Sequence, residues 1–426
     1  MRSTRAKQNL FAVSAYARET AINTEKATDV SMMIAIGDVI NPKPITENNA
    51  NEATGLEEVD QIYNMGQTVE ASVNFEKMQP QHAAFIMAYA LGSCSSAAAG
   101  AGYQHTITPI AGDLDDDRSN PSFTGMQRLG NSIIKKRLLS LFVDGFTLSA
   151  AKGEFVKLSA DIKGTGKVVQ NITEETVNAA GNSTTLTLAA NAVQGSTAAA
   201  RLDSVHRIRA EVAAGVWTEV TFSAVSSATP AAITITAPAG GTATLINFKV
   251  LYVPTEDAAF TFPARIQETP LRISEMSLIM GGAWSGTAFA GGRTVSSEIE
   301  DFSWKFANGG NVEFRPGAGG AYASSYFRDG RDQSISIGRK MKEAIMQNAV
   351  TENEEFGLRV LFTGAEIDGS HNYEVEVIYP LLAVMSADPS VDGKVVNESV
   401  ELQIMEHATY GSVIARVKNL QAAYAA

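Results

Sequence analysis

The sequence contains almost no cysteine and no long apolar run. Cys94 is the single cysteine in 426 residues, which excludes an internal disulfide framework and suits assembly in a reducing cytoplasm. No apolar stretch approaches the roughly 18 residues that a membrane-spanning helix needs, so we expect no membrane anchor. The apolar run 10–17 contains Ser14 and Tyr16 and is too short for a secretory signal.

An excess of positive charge is also missing. The chain has 34 Lys and Arg against 46 Asp and Glu, a formal net charge of −12. Affinity for DNA comes chiefly from cations that displace the counterions around phosphates. The composition therefore disfavours stable binding to nucleic acid.

The motifs for phosphate binding and nucleophilic catalysis are incomplete. Residues 164–167 resemble the end of a phosphate-binding loop, but Asp161 stands where that loop needs glycine and Val168 where it needs serine or threonine. Cys94 would need a neighbouring base and an orienting acid to act as a nucleophile, and the sequence places no such triad. We expect no cofactor and no enzymatic activity.

Metal-ligand patterns are incomplete as well. Asp115 belongs to a series of alternating aspartates that begins like a calcium loop, but Arg118 replaces the turn glycine and Thr124 the closing acid. The histidines are scattered without a pair on one helix face, at His82, His105, His206, His371 and His407. We expect no metal site.

What the sequence does contain is one order of elements that occurs twice. An alternating strand at 68–76 precedes an apolar helix at 80–91, which begins with proline and ends before Gly92. The second copy has an alternating strand at 299–306 and a helix from about 338 to 350. Three later strands follow each helix, at 103–110, 138–150 and 156–163 in the first copy and at 356–363, 372–387 and 400–404 in the second.

A stretch of different composition, about 168–255, separates the two copies. It is rich in Ala, Thr, Ser and Val, and its short strands recur every eight to twelve residues. This spacing predicts an inserted immunoglobulin-like sandwich; long hairpins of the first copy are the alternative. We expect a mainly β fold with an arm at 1–55, two repeated domains at 56–168 and 256–426, and the insert at 169–255.

Long segments without their own secondary structure usually have a function. The predicted loops 111–137 and 308–333 carry opposite charges and aromatic side chains that suit contacts between subunits. The arm would either dock on another subunit or be disordered. The candidate inter-subunit residues are Asp115, Arg118, Lys135, Arg137, Tyr322, Tyr326, Phe327 and Arg328.

Two segments of the first copy are distinctive, GYQHTITPI (102–110) and SLFVDGFTLSAAKGEFVKLSADIKGTGK (140–167). They resemble the tail tube proteins of long-tailed, siphovirus-like bacteriophages, in particular those with tandem tube-type domains. In the second copy, FGLRVLFTG (356–364) and YEVEVIYPLLAV (373–384) continue the resemblance. It covers roughly 55–168 and 260–420.

The resemblance implies two β-sandwich or barrel domains, each with one flanking helix, whose sheets join into rings of six domains. Such rings stack into a hollow tube in the virion tail, assembled in the host cytoplasm, through which viral DNA leaves. Three chains would then close a pseudo-hexameric ring; without a true repeat, six would be needed. The implied partners are further copies of the chain, the tape measure protein, tail-end proteins and DNA in transient passage.

Acidic residues on the polar side of alternating strands are the candidate lining of such a channel, because they would repel DNA phosphates. The alternation defines two faces of a strand without naming them, so a solvated outer face is an equal alternative. The candidates are Glu70, Asp161, Glu374, Glu376 and Glu401.

Two other classes stay open. A sheath, baseplate or capsid-decoration subunit would share this composition. A secreted adhesive or polysaccharide-active β protein would instead show clustered aromatic residues with paired carboxylates. Acids two apart on a strand, such as Glu374 and Glu376, are more often one solvated face than a catalytic pair.

Overall fold

The fold is mainly β, as predicted, with 56% of residues in strands and 8% in helices. The chain divides into two compact units, a smaller one built largely from 169–262 and a larger one from 10–125, 138–168 and 263–426. The computed structural model describes residues 9–53, 57–110, 120–130, 134–255, 260–265, 267–315 and 321–425.

The elements follow in chain order. The first group is β1 (Leu10–Val13), β2 (Val30–Met32), β3 (Pro42–Asn48), β4 (Ile62–Phe75), α1 (Pro80–Leu91), β5 (Gly92–Ala99), β6 (Gly102–Pro109), β7 (Phe123–Leu129), β8 (Ile134–Ala151), β9 (Lys157–Gly164) and β10 (Val168–Gln170). The insert contains β11 (Thr173–Ala180), β12 (Thr185–Thr187), α2 (Ala198–Leu202), β13 (Val205–Ala213), β14 (Val216–Glu219), β15 (Phe222–Val225), β16 (Ala232–Ile235) and β17 (Leu245–Tyr252). The last group is β18 (Met276–Trp284), β19 (Phe289–Thr294), β20 (Ile299–Ala307), β21 (Gly310–Glu313), β22 (Ser325–Arg328), β23 (Asp332–Lys340), α3 (Ile345–Glu352), β24 (Glu355–Asp368), β25 (His371–Asp392), β26 (Val395–Ile404) and β27 (Ile414–Asn419).

Eight strands of the larger unit run side by side in the order β3-β4-β9-β8-β20-β23-β26-β25, and each neighbouring pair is antiparallel. The first four strands and the last four have the same arrangement. In each block, two antiparallel strands precede a helix and two later strands follow it. The second of the two later strands pairs with the strand that enters the helix, and the first of them pairs with that second strand. The long sheet is therefore a four-strand block used twice, joined where β8 pairs with β20.

The two copies match one strand later than the sequence pattern predicted. The sequence pattern matches strand 299–306, which is β20, with β4. In the structure β23 is the strand that enters α3, so β23 corresponds to β4 and β20 to β3. The predicted helix start near residue 338 is wrong, because β23 continues to Lys340 and α3 begins at Ile345. Ile335 and Ile337 alternate with serines on β23, which is the period of a strand.

Helix α1 lies in the middle of the main core, and all twelve of its residues are buried. Pro80 suits the first helical turn because proline has no N–H to leave unpaired there. Gly92 ends the helix with a left-handed φ of 92°, a conformation that side chains with a Cβ rarely adopt. The bounds of this helix agree with the sequence prediction.

The segment predicted as a separate arm contributes to the core of its own chain. Phe11 and Val13 on β1 are fully buried, and β1 pairs with β2. The Asp29 carboxylate accepts hydrogen bonds from the backbone N–H groups of Ala15 and Tyr16, at 2.8 and 2.9 Å. Burial of these apolar side chains orders residues 10–32 on their own chain, in place of the predicted disorder. Docking of the arm on another subunit stays a prediction.

The smaller unit is a sandwich of two antiparallel sheets around its own core. One sheet has the order β11-β17-β13-β14 and the other β12-β16-β15. Ile208 and Phe248 of the first sheet meet Leu186 and Ile233 of the second in this core. The seven strands match an immunoglobulin domain in number but not in order: in chain-order letters the sheets are A-G-C-D and B-F-E, where that domain has A-B-E-D and C-F-G.

Candidate functional site

The long sheet has one apolar face and one polar face, and both continue through the two blocks. Trp304 illustrates the apolar side: it is fully buried, pairs with Leu148 of β8 and Ile335 of β23, and packs edge-on against Phe146 at 4.7 Å. This face belongs to the main core. The opposite face is open to solvent and is the candidate site.

Short hydroxyl side chains dominate the polar face. Two rows of directly paired residues cross both blocks without a break. The first row is Asn74, Ser159, Thr147, Lys305, Ser334 and Gln403; the second is Lys157, Ser149, Ser303, Ser336, Glu401 and Ser386. Small polar groups at these positions give the face a polar surface with short side chains.

Three of the five predicted acids lie on this face. Glu70 is exposed and pairs with Lys43 at 2.7 Å, a contact that lowers the pKa of the Glu70 carboxyl. Asp161 accepts a hydrogen bond from the Ser72 hydroxyl at 2.6 Å, and Glu401 is exposed in the second row. Since lysines share the face, it is mixed in charge and not simply acidic.

The other two acids occupy a different part of β25, beside β24 and β27. Glu374 pairs with Lys418 at 2.7 Å, and Glu376 pairs with Arg359 at 2.5 Å and with Arg416 at 3.7 Å. Three cations thus surround two carboxylates. These acids are neutralised locally and differ in that respect from the predicted repelling lining.

Two of the predicted inter-subunit residues, Lys135 and Arg137, do not lie in a loop. They belong to β8 and are buried, and the Arg137 guanidinium stands 5.2 Å from the centre of the Phe260 ring. Asp115 and Arg118 lie outside the described residues. The predicted continuous loop 111–137 is therefore interrupted by β7 and the start of β8.

The aromatic candidates of the second loop pack largely on their own chain. Tyr326 of β22 stacks on Phe142 with ring centres 4.1 Å apart, which buries its ring. Arg328 is buried on the same strand, while Phe327 is half-buried. Tyr322 is half-buried, and its backbone forms an isolated parallel β-bridge with Gln67. Their predicted role between subunits stays a prediction.

The two ends of the long sheet are open among the described residues. Strand β3 has a paired neighbour on one side, β4. Residues 384–392 of β25 pair on one side, with β26, because the pairing of β25 with β24 ends where Glu355 lies opposite Ala383. Exposed apolar side chains gather at both ends. They are Ile45, Ile62, Tyr63 and Met65 near β3, and Met385, Val391, Val395 and Val396 near the end of β25.

A buried ionic group was missed by the sequence prediction, which placed Arg339 at the start of a helix from about 338 to 350. Arg339 is 1% exposed and reaches Glu398 at 2.7 Å and Glu298 at 3.3 Å. Its position, two residues after Ile337 in an alternating strand, was the available signal that it faces inward.

The comparisons with known proteins give little. No family model matches the chain, and no curated protein matches it. Among solved structures, the chain is similar to the SPP1 tail tube determined by solid-state NMR and cryo-electron microscopy, with 11% identity and a TM-score of 0.25 over 36% of this chain and 80% of that one. In the described ranges, no helix is long and apolar enough to cross a membrane.

Proposed function

We propose that the chain is a non-enzymatic structural subunit that assembles with copies of itself into three-chain rings. The rings would stack into a tail tube through which viral DNA passes, together with the tape measure and tail-end proteins. The observation that carries this proposal is the junction of the two blocks inside one chain.

At this junction, β8 and β20 pair over seven residues, from Asp301 opposite Ala151 to Ala307 opposite Gly145. The last strand of one block therefore meets the first strand of the next. The same relation can be repeated between chains, since β25 ends the second block and β3 begins the first. Head-to-tail contacts of this kind close into a ring when the rotation between blocks permits it, and closure leaves no sheet edge open to aggregation.

The polar face suits a channel wall. Its short hydroxyl side chains present no continuous positive surface, and the whole chain has a net charge of −12. DNA would find few cations with which to replace its counterions. A wall of this chemistry would let DNA slide without holding it.

Negative-stain electron microscopy of the purified chain at high concentration tests the proposal. We expect rings with a central channel, and short stacks of them. Dispersed single chains at every concentration and salt condition would overturn the proposal, as would solid filaments without a channel.

A further inference from the structure

We propose that residues 384–392 of β25 pair in antiparallel fashion with the β3 edge of a second copy of this chain. This inference rests on the proposed function and deepens it by naming the two strands that meet. The partner is another copy of the same chain, and the contact repeats the internal contact of β8 with β20.

Strand direction supports this assignment. All seven neighbouring pairs from β3 to β25 are antiparallel, so directions alternate along the row. A strand added beyond β25 in the same alternation runs in the direction of β20, which is also the direction of β3. The first block of a second chain can therefore continue the sheet with the same antiparallel alternation.

Apolar surface at the two ends supports it further. Within the chain, the junction buries Phe302 and Trp304 of β20 beside Leu148 and Ala150 of β8. At the outer ends, Val391 and Ile62 are each 74% exposed. Contact between those ends would remove apolar area from water, at about 25 cal/mol per Å².

Both ends carry prolines. Pro42 and Pro44 lie on β3, and Pro389 lies on β25 opposite Glu398. Proline has no N–H to donate, so the proposed pairing uses the N–H groups of the other residues on each strand. The two ends differ in sequence, which favours a head-to-tail contact over a contact of one end with itself.

Two complementary variants test the inference. Val391→Lys places a charge on the β25 end and leaves the β3 end intact, whereas Ile62→Lys does the reverse. Leu420→Lys is the matched control, because Leu420 is exposed and lies on neither end. Light scattering coupled to gel filtration gives the mass of each assembly, and circular dichroism checks that each variant is folded.

We expect each edge variant alone to stay a single chain under conditions where the unmodified chain and Leu420→Lys assemble. An equimolar mixture of the two edge variants should give a dimer and nothing larger, since only one pair of intact ends remains. Met385→Lys, on the same strand as Val391, should repeat the result of Val391→Lys if that variant folds poorly.

The outcomes separate the two proposals. If the unmodified chain and Leu420→Lys fail to assemble, the proposed function fails. If they assemble and the edge variants assemble equally well, the assignment of the two strands is overturned while the function stands. A symmetric dimer formed by either edge variant alone, or a mixture that stays monomeric, also overturns the head-to-tail contact.

Discussion

A buried ionic group holds the second block together at the scale of single residues. Arg339 on β23 joins Glu398 on β26 to Glu298, which lies in the turn before β20. Water cannot replace a lost partner at this depth, and an uncompensated buried charge is costly. An exposed pair such as Lys43 with Glu70 has no such dependence, because solvent screens both charges.

Arg339→Met should therefore lower the free energy of unfolding by about 3–5 kcal/mol, because the Glu398 carboxylate loses its cation. The matched change Lys43→Met should cost less than about 1 kcal/mol. Urea denaturation of both variants measures the difference. Equal losses in the two variants would show that the buried group is not the stabilising contact described here.

Glu268 gives the molecule a dependence on pH. It is buried and accepts a hydrogen bond from the backbone N–H of Gln81, in the first turn of α1, at 2.8 Å. Burial raises the pKa of this carboxyl from 4.5 to about 7, against the opposing effect of that hydrogen bond. Between these two values the folded chain keeps a proton that the unfolded chain has released, so stability is full below pH 4.5 and falls as pH rises to 7.

The expected loss over that range is about 3 kcal/mol. Glu268→Gln keeps an oxygen for the Gln81 N–H but cannot ionise, so its contribution to the pH dependence should disappear. Urea denaturation of both chains at the two ends of the range measures this. A parallel loss of stability in the variant would assign the effect to other groups.

At the scale of elements, alternation and end signals in the sequence located most strands and α1. Pro80, the apolar body and Gly92 are local features, so the bounds of α1 follow from them. The start of α3 was missed because the predicted helix 338–350 included Arg339 and Lys340, which belong to β23. The Arg339 side chain is held inward by acids distant in sequence. Sheet order and the β8–β20 junction depend on contacts between distant segments, which local periodicity does not encode.

The end of α1 can be tested with two glycines of similar backbone. Gly92 and Gly153 have φ values of 92° and 78°, but a Cβ on Gly92 would strike the Ile110 side chain, while a Cβ on Gly153 meets nothing within 4 Å. Gly153→Ala should cost about 1 kcal/mol from the left-handed backbone alone. Gly92→Ala should cost about 1–3 kcal/mol more, since the Ile110 side chain must shift. Thermal unfolding compares the two variants. Similar losses would contradict the steric account.

The candidate site was only partly predictable from the sequence. Glu70, Asp161 and Glu401 do share the polar face, because alternation assigns each to the side opposite the core. The cations that pair with Glu374 and Glu376 lie on β24 and β27. The sequence of β25 alone therefore does not predict these ion pairs. Tyr326 and Arg328 looked like contact residues but are covered by their own chain.

For the whole molecule, the central feature is a four-strand block that occurs twice and joins edge to edge. If the proposed ring contains six blocks, each chain supplies two of them and three chains close it. The junction of β8 with β20 is the internal example of the contact that we propose between chains.

Native mass spectrometry of single rings, separated from stacks, tests this claim most directly. The account predicts a mass equal to three chains of 45.2 kDa each. Rings with the mass of six chains would contradict it, because each chain would then contribute one block position and not two.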